Sequence, residues 1–117
     1  MFDPSELLEE INELDESVDK NQAKVNLFNC TSFYERMSTS LVFSSDLKNA
    51  IFVEGDGDVS LIIQSLLTNR RVNCSFFNAK NRCHVFCIDE NMKCSTRTID
   101  GSSMTEPREI AAWVMDK

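Results

Sequence analysis

Basic residues are in short supply in this chain of 117 residues: 12 Lys and Arg stand against 19 Asp and Glu, a formal charge of −7. Non-specific binding to nucleic acid or to an anionic membrane needs clustered Lys and Arg, so neither role is expected. Apolar runs are short too, and none approaches the roughly 20 residues that span a bilayer. The N-terminus, MFDPSELLEE, is acidic and lacks the apolar segment of a secretory signal. Glycine is scarce. The closest pair, Gly55 and Gly57, sits among three acids that would repel phosphate, which excludes a phosphate-cradling loop. His84 is the single histidine, and no C-x2-C knuckle occurs. Internal repeats and low-complexity tracts are absent.

What is present fits one folded domain. A chain of this length buries roughly two-thirds of its unfolded surface. Hydrophobic residues make up 42% and charged residues 26%, ordinary values for a globular protein. The five cysteines (Cys30, Cys74, Cys83, Cys87, Cys94) are odd in number and no signal precedes them, which points to free thiols in a reducing compartment, the cytoplasm. Asn29-Cys30-Thr31 and Asn73-Cys74-Ser75 match the glycosylation sequon but are inert there. Cys74, Cys83, Cys87 and Cys94 with His84 are numerous enough for zinc, but their spacing is that of small core hydrophobes.

The first helix is read from Asp3 as cap, Pro4 at the first turn and Glu6 three residues on. Leu7, Ile11, Leu14 and Val18 continue it as a narrow apolar seam, fading near Asn21. Val25 to Ser44 turns to a period of two, which reads as strands, with Leu41, Val42 and Phe43 in the second. Ile51, Phe52 and Val53 form a buried interior strand. A turn at Glu54-Gly55-Asp56-Gly57-Asp58 leads to a helix with Val59, Ile62, Ile63, Leu66 and Leu67 on one face. Residues 71–77 and 83–89 flank Asn78-Ala79-Lys80-Asn81 as a hairpin, and a third strand runs from Lys93 to Ile99. His84 shares a strand face with Phe86 and Ile88, away from Cys83. A last helix opens at Thr105-Glu106-Pro107 and carries Ile110, Trp113 and Val114. The expected fold is α+β: a largely antiparallel sheet of about five to six strands, a central and a C-terminal helix packed on it, and the acidic amphipathic N-terminal helix. The division is residues 1–24 for that helix and 25–117 for a single α+β domain.

Ile51-Phe52-Val53-Glu54-Gly55-Asp56-Gly57-Asp58 resembles the first motif of Toprim domains, an apolar strand ending in Val-Glu-Gly with an Asp soon after. The resemblance implies a Mg²⁺-dependent phosphodiester enzyme with Glu54 as acid–base group and Asp58 and Asp89 helping to hold the metal. Asn91 stands where that family's second late acid falls, and a hairpin stands where it has a crossover helix.

The charge is concentrated. Residues 1–24 hold eight acids and two lysines, −6 of the −7. No convincing nucleophile, acid–base pair or cofactor set accompanies them. The expectation is therefore a small acidic protein-binding or regulatory module without catalysis or cofactor. Leu7, Ile11, Leu14 and Val18 would serve as its interface, either in a homodimer or with a protein partner. A specific form is an inhibitor occupying a basic site on a nucleic-acid-acting partner.

Overall fold

Alternating side chains over the second half of the chain build a sheet, and helical spacing before and after it builds the cover. The computed structural model describes residues 4–39, 46–78 and 80–116. The elements are α1 (Ser5–Asn12), α2 (Lys20–Ser38), β1 (Leu47–Val53), β2 (Val59–Ser65), β3 (Arg70–Phe76), β4 (Arg82–Ile88), β5 (Cys94–Asp100) and α3 (Glu106–Met115). The strands form one antiparallel sheet in sequence order, so every connection is a hairpin. The class is the expected one: α+β, with five antiparallel strands and three helices among the described residues. No helix among the described residues is long and apolar enough to cross a membrane.

The helices lie on one face. Val59, Leu61 and Ile63 of β2 and Val72, Cys74 and Phe76 of β3 point toward them and are buried. Phe33 of α2 meets Phe76 edge-on, with ring centroids 5.6 Å apart. Ile110, Ala111 and Val114 of α3 close the same core. Arg70 ties α3 down: its guanidinium lies over Trp113, donates to the Trp113 carbonyl at 2.8 Å and pairs with Glu90 at 2.7 Å. Arg36 of α2 donates to the Gly101 carbonyl, which fixes the β5–α3 loop.

Four expectations are corrected. The helix expected over 59–69 is strand β2 and the turn after it. Val59, Leu61, Ile63 and Ser65 are all buried at a period of two, while Leu66 and Leu67 are exposed in the turn. The β-branched Val59, Ile62 and Ile63 favour the extended form, where helical spacing fitted them equally well. The strands expected from Val25 are helix α2 instead. Its buried positions, Ala23, Asn26, Leu27, Cys30, Phe33 and Met37, have helical spacing, and Asp19 caps it by accepting from Asn21 N and Gln22 N. The first helix ends at Asn12, not near Asn21, and α2 begins at Lys20. Glu9, Glu10 and Glu13 oppose the dipole at its C-terminal end, and Asp15 draws the Ser17 N–H into a local turn at 2.9 Å.

The C-terminal elements fall where expected. The 71–77/83–89 hairpin is β3 and β4, the third strand is β5, and the final helix is α3. β1 is an edge strand, not an interior one. Asp3, the segment with Leu41, Val42 and Phe43, and Ala79 lie outside the described residues.

Candidate functional site

The acidic turn after β1 is a tight hairpin. Glu54 N donates to Asp58 O at 2.8 Å and Gly57 N to Glu54 O at 3.0 Å. Asp56 Oδ1 receives the Asp58 N–H at 3.0 Å. Gly57 has φ of +93°, open to glycine and strained for other residues. Its backbone is pressed against the α1–α2 connection: a Cβ there would lie 3.0 Å from Val18 Cγ1 and 3.4 Å from Ala23 Cβ. Asn26, buried on α2, donates from Nδ2 to the Gly57 carbonyl at 3.1 Å.

Two acidic segments that lie about 40 residues apart in the chain therefore meet. Glu13, Asp15, Glu16 and Asp19 come from the α1–α2 connection, and Glu54, Asp56 and Asp58 from the β1–β2 turn. The contact is made by Val18 of the first segment and Gly57 of the second, and the two segments together carry seven carboxylates, with Lys20 and Lys24 as the nearby cations in sequence. Lys20 is engaged, donating to the Asn12 carbonyl at 3.0 Å. Partial burial raises the Asp58 carboxyl pKa above its ordinary value, and the charges of Asp56 and Glu54 add to this, while His84 opposes them. Asp15 is lowered by its hydrogen bonds from Ser17. This end of the fold is an acidic pole.

The metal set implied by the Toprim resemblance is not brought together. Glu54 and Asp58 lie beyond one end of the sheet, where Glu54 Oε1 accepts from Ser60 Oγ at 2.9 Å. Asp89 lies beyond the other end, after Ile88, about 20 Å away along seven-residue strands. There its Oδ1 accepts from Asn91 N and Lys93 N, both at 2.9 Å, and shapes the β4–β5 turn. The sheet is antiparallel throughout, so the parallel crossover of that fold is not formed. Among the described residues no group of three or more His, Cys, Asp or Glu is placed to hold a metal.

The cysteines divide between the two faces. Cys30, Cys74 and Cys83 are buried under the helices, and burial pushes the Cys30 thiol pKa well up. Cys74 is raised by its contact with the Cys83 thiol and by burial. His84 is on the opposite face, stacked on Phe77 at 4.4 Å with Nδ1 2.9 Å from Thr98 Oγ1. Cys94 is exposed on that same face.

The expected interface seam faces inward. Leu7 and Ile11 are buried in the core, Leu14 packs against it half-buried, and Val18 meets the Gly57 turn. The exposed side of α1 carries Glu6, Glu9 and Glu10. The sequence pattern did not reveal the outer face of the sheet, which no helix among the described residues covers. The signal for it was the polar alternation of Ser60, Gln64, Asn73 and Ser75 beside Ile62 and Phe86.

Set beside known proteins, the chain matches no family model, no curated protein and no solved structure.

Proposed function

We propose that this protein is a small acidic protein-binding module without catalytic activity, acting in the cytoplasm as a regulator that docks on a basic surface of its partner. The docking site is the acidic pole, and the exposed acids of α1 extend it. In its specific form the partner acts on nucleic acid, and the module occupies the basic track that would otherwise hold phosphates. The observation that carries this reading is the seating of the Glu54–Asp58 turn on the α1–α2 connection, which gathers carboxylates from two segments. Two lysines in that region leave the charge largely uncompensated, and a concentrated field of one sign steers association with a surface of the other.

The test is capture from the native host with wild type and with a Glu13→Gln, Glu16→Gln, Asp56→Asn variant. Wild type should retain nucleic-acid-binding proteins at low salt and release them as salt rises and the Debye length falls below about 5 Å. A short DNA duplex should compete, and the variant should retain at least tenfold less. Capture that is indifferent to salt, to duplex and to the three substitutions overturns the proposal.

A further inference from the structure

Among the described residues all the helices lie on one face of the sheet, and none covers the other. Cross-strand register sets its side chains in rows. The middle row is Ala50, Ile62, Asn73, Phe86 and Thr96, free of charge. Beside it runs Phe52, Ser60, Ser75, His84 and Thr98, and Phe77 stacks on His84 at its margin. Charged groups are confined to the two ends. At one end Lys48 and Arg71 lie in the ladder, with Asp46 preceding Lys48; at the other are Glu54, Asp58 and Asp100, with Arg82 opposite Asp100. An uncharged centre, with Phe52, Ile62 and Phe86 as its large apolar members, set within a charged margin has the charge-depleted core of a protein interface. The two ends carry opposite net charge, which makes the face complementary to itself when it is reversed.

We propose that this open face is the contact between two copies of the chain, packed sheet on sheet with their strands running in opposite directions. A twofold axis across the strands sets the middle row on its own copy, Ile62 over Ile62 and Phe86 over Phe86. The same axis carries Lys48 toward the second copy's Glu54. An axis parallel to the strands would instead put basic end on basic end. The size is sufficient: five strands about 4.8 Å apart and seven residues at about 3.3 Å each present roughly 550 Å² per copy. The pair would bury about 1,100 Å² in all, just above the roughly 1,000 Å² that separates specific interfaces from incidental ones. The dimer is thus of the weaker, reversible kind. This inference goes beyond the acidic-pole reading: Glu54 and Asp58 belong to both surfaces, while Ile62, Phe86, Thr96 and Lys48 lie outside the pole.

The experiment is sedimentation velocity of the full chain from ~1 µM to ~1 mM, a range that covers weak dimers. Wild type should move from 13.3 kDa toward twice that mass. Ile62→Lys and, as a second probe should the first fail to fold by circular dichroism, Thr96→Arg should remain monomeric throughout. Lys48→Glu and Glu54→Lys should each weaken the dimer at least tenfold, and the double swap should restore it. A wild type that stays monomeric at the highest concentration overturns the proposal. So does a dimer indifferent to Ile62→Lys and Thr96→Arg, or a swap that fails to rescue. Loss of partner capture by the Glu13, Glu16 and Asp56 variant leaves this outcome untouched, so the two proposals fail separately.

Discussion

Asn26 is where the fold and the acidic pole depend on one side chain, and its replacement by alanine has a calculable cost. The residue is 2% exposed and donates to the carbonyl of Gly57, the buried residue of the turn, at 3.1 Å. Alanine removes the donor and leaves that carbonyl short of a partner, a loss of about 1–3 kcal/mol. A mid-range value of about 2 kcal/mol is a sizeable part of a total stability that should lie near 6–18 kcal/mol for a chain this long. The protein should stay folded at 25 °C. With a urea slope of about 2 kcal/mol/M, the unfolding midpoint should fall by about 1 M.

Equilibrium urea unfolding of wild type, Asn26→Ala and the exposed-site control Asn21→Ala checks this. The control should lie within about 0.5 kcal/mol of wild type. Asn26→Leu sharpens the result, because it restores volume but not the donor and should remain destabilised by more than about 1 kcal/mol. Were Asn26→Ala to unfold within about 0.5 kcal/mol of wild type, that bond would not be what seats the turn, and the assembly of the pole would need another cause.

Gly57→Ala should cost about 1–3 kcal/mol through its positive φ and the contact at Val18, lowering the melting temperature by about 4 °C per kcal/mol. Combined with Asn26→Ala it should cost less than the sum, since both act on one contact. For Asp58 the folded-state pKa is raised, so the native state holds that proton more tightly than the unfolded chain does. Its favourable contribution is complete below the ordinary carboxylate pKa and is lost as pH rises through the raised value. Asp58→Asn should therefore melt slightly higher than wild type at pH 7, by less than about 1 kcal/mol, with the difference vanishing near pH 3; a difference that grows on acidification would refute the sign. Maleimide labelling read by mass spectrometry should modify Cys94 first and Cys87 more slowly. Cys30, Cys74 and Cys83 should react only on unfolding, and reaction of Cys74 at the rate of Cys94 would contradict the packing.

The legible parts of the fold were those where local pattern and turn chemistry agreed. β3 and β4 alternate cleanly around a polar loop, and Pro107 marks the opening of α3 where such a residue belongs. Residues 59–67 fit two periods at once: Val59, Ile62, Ile63, Leu66 and Leu67 trace a helix, and Val59, Leu61 and Ile63 trace a strand. Only the pairing of β2 with β1 and β3 decides between them. α2 was concealed differently. Phe28, Thr31, Phe33 and Tyr34 are strand formers, and Asn26 and Asn29 occupy buried helical positions that a hydrophobic pattern leaves blank. The class emerged correctly because a helix misplaced at 59–69 was replaced by one at 20–38, which takes up the position on the sheet.

The failure at Asn26 and the invisibility of the pole have one origin. Read locally, the turn at 54–58 is a self-contained acidic hairpin and the acids of 13–19 belong to an unbroken helix. Their meeting depends on a buried polar donor and on a glycine whose missing side chain admits Val18 and Ala23. A polar group at a core position costs stability unless its partner is fixed, and here the partner is the turn itself. Sequences depart from simple patterning where another demand competes with packing. On this chain the departure falls at the residue that bonds α2 to the acidic turn, so the same asparagine that hides α2 from a hydrophobic pattern marks where the two acidic segments meet.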